Sequence, residues 1–220
     1  FEGGYIPLGI GIAVLIIITV WQWGRRHVAK EYDRYKRGTI DDLMKLKESS
    51  KYPEIERSFI FMVPKKVTAE SGIPTLMQVF IDRYGSIPKH IIFLTIEILK
   101  YPHVRSKDRY EITNFGKVGA REDSVASVVL RFGYMEDPNV EKRLEELAEH
   151  KEIQINTDKH SWIIEAMHER ISQDHVKGVW SKAAAELYKL MARFADTADV
   201  YFHLGKNQPL SVEIMPVKLR

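Results

Sequence analysis

The sequence predicts an α/β protein, in which one N-terminal transmembrane helix is followed by a cytosolic α/β domain with a mixed, partly parallel sheet and a β-α-β unit. Two observations predict this fold class. Residues 5–23 are uncharged and mostly apolar, and no later stretch is comparably apolar. From residue 58 onward, apolar runs typical of strands alternate with runs of helical period, which is the order found in α/β folds.

The opening stretch, 5–23, has the length and the flanking residues of a membrane span. As a helix it is about 28 Å long, close to the roughly 30 Å of a bilayer's hydrocarbon core. Tyr5 at one end and Trp21 and Trp23 at the other suit the membrane–water interface. A signal peptide carries its positive charge before the apolar run, and a buried soluble helix of this length shows a polar face. We therefore predict a transmembrane helix over 1–24.

The residues after the span are basic. Before the span the only charge is Glu2, and directly after it six lysines and arginines stand against two acids: Arg25, Arg26, Lys30, Arg34, Lys36 and Arg37. The positive-inside rule therefore predicts that residues 25–220 are cytoplasmic. Residues 25–51 are predicted to form a basic amphipathic linker helix, broken at Gly38 and restarted by a capping box of Thr39 and Asp42. Such a helix either lies on anionic lipid or serves as a solvated spacer.

A polar segment, 47–56, predicts the boundary of a cytosolic domain over 52–220. SFIFMV (58–63) and HIIFLTIEI (90–98) read as strands on either side of a helix at 75–84, which predicts a parallel β-α-β unit. Further strands are predicted at 109–115, 124–135, 199–204 and 210–218, with helices at 139–150 and 180–195, while 160–171 fits either period.

Two of these segments also predict a buried face from their periodicity. In the strand the residues are Ala126, Val128, Leu130, Phe132 and Tyr134. In the last helix they are Leu187, Leu190, Met191 and Phe194.

The chain carries no motif of a catalytic or cofactor-binding site. It has no Walker loop, no G-x-G-x-x-G and no G-x-S-x-G, and GKVG (116–119) between two strands predicts a hairpin turn. The candidate metal ligands lack the spacing of a compact motif and read as ordinary surface or core residues: His160, His168 and His175, with Asp158 or Asp174. With no cysteine and a net charge of +3, disulfides and thiolate zinc sites are excluded and nucleic acid is not indicated as a partner. We predict a chain that is not an enzyme, with no catalytic, cofactor-binding or metal residues and no cofactor.

Three stretches, in order, resemble the Kup-type potassium uptake permeases (the KUP/HAK/KT family). The opening FEGGYIPLGIGIAVLIIITVWQWGRR is similar to the last transmembrane helix of that family. Its entry element is formed by Gly3, Gly4, Tyr5, Pro7 and Leu8, and its Trp-x-x-Gly-Arg exit by Trp21, Gly24 and Arg25. The other two stretches are SGIPTLMQVFIDRYGSIPKHIIFLTIEILKYPHV (71–104) and WSKAAAELYKLMARFADTADVYFHL…VEIMPVK (180–218).

The resemblance implies a multi-pass carrier in the plasma membrane that takes up K⁺, with H⁺ symport. This chain, which begins with Phe rather than Met, is then expected to be a piece of a longer one: the last span and a cytosolic regulatory domain. Its implied partners are the upstream helices of the same transporter, the lipid bilayer, a second copy in a homodimer and a small regulatory ligand. Family ion-binding residues lie in earlier helices, so none is carried over. The alternatives are a single-span, membrane-tethered sensor of a small ligand such as a nucleotide, and a tethered nucleotide-processing domain.

Overall fold

The structure is a computed structural model that describes residues 5–35, 37–49, 51–117, 124–149, 162–172, 178–194 and 198–218. The elements follow one another as α1 (Tyr5–Tyr35), α2 (Ile40–Glu48), β1 (Glu54–Met62), α3 (Thr75–Tyr84), β2 (Ile87–Leu99), a 3₁₀ turn (Ser106–Asp108), β3 (Tyr110–Lys117), β4 (Ser124–Gly133), α4 (Val140–Glu149), β5 (Trp162–Ser172), α5 (Val179–Phe194), α6 (Ala198–Tyr201) and β6 (Leu210–Lys218). This order confirms the predicted fold class, an apolar N-terminal helix followed by an α/β domain.

The strands form one mixed, six-stranded sheet in the order β3-β4-β2-β1-β5-β6. The four strands β4, β2, β1 and β5 run parallel to one another, whereas β3 is antiparallel to β4. The predicted β-α-β unit is β1-α3-β2. The pairing of β3 with β4 is the one that a hairpin at GKVG requires, but residues 118 and 119 of that motif lie outside the described residues.

The chain divides into two compact units. Unit 1 comprises Phe1–Tyr35, Glu169–Asp196 and Ile214–Arg220, and unit 2 comprises Lys36–His168 and Thr197–Glu213. The predicted domain ranges 1–24, 25–51 and 52–220 stay a prediction. Helix α1 continues unbroken past residue 24, and α2 belongs to unit 2 because Ile40 and Leu43 are buried in its core.

The core of unit 2 lies on both faces of its strands. On one face α2 and α3 cover the strands, and the Phe80 ring of α3 packs edge-on against Phe59 and Phe61 of β1. On the other face α4 buries Leu144 and Leu147 against the strands. Because both faces are covered, β1 and β2 read as continuous apolar runs rather than as alternating ones.

The break between α1 and α2 agrees with the sequence prediction. Gly38 has φ of +69°, in the left-handed region that favours glycine. The Thr39 hydroxyl then accepts a hydrogen bond from the Asp42 N–H at 3.3 Å, while the Thr39 N–H donates to the Asp42 carboxylate at 2.8 Å. This is the predicted capping box, which satisfies two of the free N–H groups at the start of α2.

Two sequence predictions differ from the structure, and one ambiguous segment is resolved by it. The segment 199–204 is not a strand but helix α6 followed by turns. The ambiguous segment 160–171 contains strand β5, and four residues of the face predicted for β4 (126, 128, 130 and 132) are buried together with Val125 and Val129 of the opposite face, while Tyr134 is exposed.

The predicted inner face of α5 is wrong. Leu190 and Phe194 are exposed and Leu187 and Met191 are half-buried, while Ala185 and Tyr188 are buried instead. Tyr188 is amphipathic, so the apolar period of α5 does not include it. In unit 1 it packs against α1, and this packing decides which side of α5 faces inward.

Candidate functional site

The residues at the end of the apolar stretch form a junction with helix α5 inside unit 1. Gly24 lies against the ring of Tyr188, and a Cβ atom at position 24 would overlap the ring carbons. Trp21, one turn earlier, packs against the same ring with 5.5 Å between the ring centroids. Only glycine at position 24 lets α1 and α5 approach this closely.

Strand β5 adds a charged contact to this junction. The Arg25 Nη1 atom lies 3.8 Å from Glu169 Oε1, and the Tyr32 hydroxyl donates a hydrogen bond to the same carboxylate. We call Trp21, Gly24, Arg25, Glu169 and Tyr188 the α1 junction. Three of its five members belong to the Trp-x-x-Gly-Arg exit motif, so the structure gives that motif a physical role. Their partners Glu169 and Tyr188 carried no signal in the sequence, because nothing in a local pattern pairs residues so far apart.

Apolar packing surrounds the α1 junction. Val28, Ala185 and Val217 are buried together with Tyr188, and the partly buried side chains of Trp23 and Met191 pack around them. Helix α1, helix α5 and the end of β6 are therefore held by one small apolar cluster, to which the Arg25–Glu169 pair adds polar specificity. The exposed Arg25 side chain limits that pair to a modest contribution to stability.

The carboxyl ends of the parallel strands in unit 2 carry a charged network, at the sheet edge where α/β proteins commonly bind ligands. The Arg131 Nε donates to Glu97 Oε2 at 3.0 Å. The Arg131 guanidinium and the Lys66 ammonium both donate to the Glu111 carboxylate. The hydrogen bond from Lys66, followed by that from Arg131, lowers the pKa of Glu111. The two cations, Arg131 and Lys66, are thus balanced by two carboxylates. An anionic ligand that binds these cations would have to displace one of the carboxylates.

A buried acidic pair lies elsewhere in unit 2. Glu165 on β5 is only 2% exposed, stands beside Phe61 in the sheet register, and has one carboxylate oxygen without a hydrogen-bond partner among the described residues. Glu213 on β6 is also buried but accepts hydrogen bonds from the Arg83 guanidinium and, at 3.1 Å, from the Tyr84 hydroxyl.

The two glutamates differ in their protonation chemistry. Burial raises the pKa of Glu165 to about 7, and the nearby charge of Glu213 adds to the increase. A hydrogen bond with Ser211 and the charge of Arg83 oppose it. Glu165 therefore exchanges a proton near neutral pH. The sequence offered no signal for this property, because an acid in a strand pattern reads as an outward-facing residue.

Of the five candidate metal ligands considered from the sequence, only His168 belongs to the described residues, on strand β5. His160, His175, Asp158 and Asp174 lie outside them. Within the described ranges no group of three His, Cys, Asp or Glu side chains is placed to hold a metal ion. The prediction that the chain has no metal or catalytic residues stays a prediction.

Comparison of the chain with known proteins points to one family. The sequence profile of the K⁺ potassium transporter C-terminal domain matches residues 56–217. A probable potassium transport system protein Kup of Bordetella pertussis is 25% identical over 94% of this chain and 30% of its own length. The Kup 3 protein of Legionella pneumophila strain Lens is 25% identical over 92% of this chain and 30% of its own.

A third relative, from Rhodococcus jostii, is 28% identical over 63% of this chain and 20% of its own length, and is also described as a probable potassium transport system protein Kup. The chain thus spans less than a third of the length of these relatives. No solved structure matches it.

Proposed function

The chain belongs to the Kup-type potassium transporters, as part of their C-terminal region, and from this premise we propose that the complete protein is a membrane carrier that takes up K⁺. In this proposal α1 is its last transmembrane helix and the α/β domain lies in the cytosol. The observation that carries the proposal is the match of residues 56–217 to the family's C-terminal domain, in a chain that begins with a helix suited to a membrane.

Helix α1 supports the membrane part of the proposal by its length, composition and exposure. It is the one described helix long and apolar enough to cross a bilayer, with a mean hydropathy of 2.0 over its most apolar 18 residues. Its side chains from Tyr5 to Ile18 are exposed on all sides in this structure. Apolar side chains with no protein around them suit contact with lipid. The basic residues after Trp23 favour a cytoplasmic C-terminal side by the positive-inside rule.

The role of this chain in transport is proposed to be regulatory. Inside the span the polar side chain of Thr19 already donates to the Leu15 carbonyl oxygen at 2.7 Å, so it is engaged within its own helix. Ion sites in carriers use polar or ionisable groups near the bilayer midplane. We therefore place the K⁺ path, and its coupling to H⁺, in other helices of the complete carrier. The α1 junction is the contact through which this span and α5 influence each other.

Two further parts of the proposal concern partners. We propose that the carrier is a homodimer to which the cytosolic domain contributes, and that the domain responds to a small regulatory ligand. The balanced charges at the carboxyl edge of the sheet bear on the ligand's chemistry. A ligand that binds there has to replace the Arg131–Glu97 or the Lys66–Glu111 contact, because both cations already have carboxylate partners.

The test is growth at limiting K⁺ of a host that lacks its own uptake systems and carries the full-length gene. Growth rescued only while the proton gradient is intact would support K⁺ uptake with H⁺ symport. Rescue that persists after the gradient is collapsed would support the carrier and reject H⁺ coupling. No rescue from a protein that reaches the membrane would reject the carrier and favour a tethered sensor or enzyme.

A further inference from the structure

Unit 1 contains a cavity of about 620 Å³ with a strongly basic lining. It lies between the end of strand β5, which contributes Glu169–Ser172, and the last two turns of α5. Its charged lining residues are three basic ones, Arg170, Lys189 and Arg193, and one acidic one, Glu169. The lining therefore carries an excess of positive charge.

The single carboxylate of the lining is already engaged. Glu169 pairs with Arg25 at 3.8 Å and accepts a hydrogen bond from Tyr32. Within the parts of the chain that the structure describes, no ion pair is formed by Arg170, Lys189 or Arg193. Three basic residues around one cavity repel each other, and an anion placed among them reduces that repulsion.

The number and type of these cations point to a phosphate group. A phosphate offers several acceptor oxygens, which a guanidinium binds through two parallel N–H donors and an ammonium binds as a point charge. Two arginines and one lysine can therefore surround it from different sides.

The position of the cavity along α1 indicates where the phosphate comes from. Glu169, part of the lining, contacts Arg25, and Lys189 directly follows Tyr188, whose ring lies on Gly24. The cavity thus lies level with the residues that end the apolar stretch. If α1 spans the bilayer as proposed, this is the depth of the cytosolic headgroups.

Apolar side chains border the cations on α5. Leu190 and Phe194 are 50% and 82% exposed, next to Lys189 and Arg193. Apolar groups beside basic ones are the pattern of protein surfaces that lie at the lipid interface. A soluble phosphate compound would make no use of them, whereas the acyl chains of a phospholipid would cover them.

We infer that this cavity binds a phosphate group and that the phosphate belongs to the headgroup of an anionic phospholipid in the cytosolic leaflet. The phosphate chemistry follows from the cavity alone, whereas the lipid source rests on the proposed membrane topology. The site fixes the cytosolic end of α1 to the bilayer beside the α1 junction.

The experiment compares two variants of the full-length protein, purified in a non-ionic detergent. The cavity variant carries Arg170→Gln, Lys189→Gln and Arg193→Gln. The control variant loses the same charge at exposed lysines outside the cavity, through Lys142→Gln, Lys182→Gln and Lys206→Gln. Native mass spectrometry measures binding of dioleoyl phosphatidylglycerol, dioleoyl phosphatidylcholine and glycerol 3-phosphate, and thermal unfolding checks that each variant is folded. This readout does not depend on K⁺ transport, so it stands even if the carrier proposal fails.

We expect the affinity for phosphatidylglycerol to fall by about tenfold or more in the cavity variant and by less than about twofold in the control. Equal losses in the two variants, or no loss in either, would overturn the site. Equal binding of phosphatidylcholine, or cavity-dependent binding of glycerol 3-phosphate as tight as that of the lipid, would overturn the anionic lipid as its source. If the triple variant unfolds, the single substitution Arg193→Gln at the exposed end of α5 provides the same comparison with Lys182→Gln.

Discussion

The apolar half of helix α1 and the central strands of unit 2 are similar in composition and opposite in environment. The side chain of Val14 is 48% exposed, and its apolar neighbours on α1 are exposed to a similar degree. By contrast, Ile91, Phe93 and Leu94 of β2 are completely buried. The strands bury their side chains beneath α2, α3 and α4 of the same chain. The first half of α1 has no such cover within the structure.

This difference teaches that hydropathy alone does not tell where an apolar segment goes. A strand of unit 2 is apolar because the chain itself surrounds it, and its stability is set by packing. If α1 spans a bilayer as proposed, its first half is apolar on all sides because lipid surrounds it, and transfer into lipid stabilises it there. Substitutions of matched type in the two regions should therefore have different consequences.

The largest effect is expected from a cavity in the core of unit 2. Phe61 is fully buried and its ring packs against Phe59, Phe80 and Phe93. Phe61→Ala should lower the free energy of unfolding by about 3–5 kcal/mol, measured by denaturant titration in detergent. Leu15→Ala in the span is the control and should leave that value within about 0.5 kcal/mol. A comparable loss from Leu15→Ala would mean that the span is packed by protein in the same fold.

A charge placed in the span should have the next largest effect. Val14→Arg should make membrane insertion of α1 less favourable by about 3 kcal/mol, because a central arginine is poorly tolerated in lipid. Insertion is measured with a glycosylation reporter placed after the helix. Val200→Arg is the matched control, since Val200 on α6 is 60% exposed and should face water. An unchanged insertion of Val14→Arg would contradict the membrane assignment of α1.

The third effect concerns the buried acid in the sheet. The pKa of Glu165 is raised to about 7, so its neutral form stabilises the fold. That stabilisation is complete below its unfolded pKa near 4.5 and is lost as the pH rises through about 7. We expect the wild type to lose about 1 kcal/mol between pH 6 and 8, and Glu165→Gln to abolish this dependence.

The residues that face Glu165 have to be the same in all the proteins compared in that measurement. They are Glu213, Arg83 and Tyr84, together with the hydroxyl of Ser211. Denaturant unfolding at four pH values between 6 and 8 covers the range. Glu136→Gln is the control, because Arg109 holds the pKa of Glu136 low, at about 2, and that carboxylate stays ionised throughout. A pH dependence that survives in Glu165→Gln would show that another group titrates.

A local effect, equal to or larger than that of Glu165, is expected at the α1 junction. Gly24→Ala should lower the stability of the α1–α5 contact by about 1–3 kcal/mol, because its methyl group overlaps the Tyr188 ring. Gly11→Ala on the same helix meets open space and should have no such effect. Thermal unfolding of the two variants in detergent gives the comparison. If both variants unfold at the wild-type temperature, the close approach at Gly24 does not exist in the protein.

The sequence predicted best where local chemistry decides the structure. The capping box of Thr39 and Asp42 formed as expected, because both partners lie within one helical turn. Helix α3 occupies its predicted range, and strands β1 and β2 flank it as a parallel pair. In these cases hydrophobic period, cap residues and chain order agree with one another, which leaves little for long-range packing to change.

Long-range packing explains what the sequence did not predict. The segment containing Val200 and Tyr201 has strand-like residues but forms a short helix, because an apolar pattern does not show whether a sheet edge is available to it. On α5 the buried face is set by Tyr188 against Gly24, two residues far apart in sequence. The basic cavity is lined by residues of α5 and of the end of β5. These two segments are separate in the sequence, so no linear motif contains both.

The unbroken length of α1 gives it a mechanical property. Twelve residues continue in the same helix from Trp23 to Tyr35, which amounts to a rigid extension of about 18 Å beyond the apolar stretch. A tilt of the span by about 10° would displace the far end of this extension sideways by about 3 Å. Because Tyr188 fills the space at Gly24, rotation of the span about its own axis is opposed by α5. If α1 spans a bilayer as proposed, a small change in its tilt would therefore displace its C-terminal end far enough to rearrange side-chain packing.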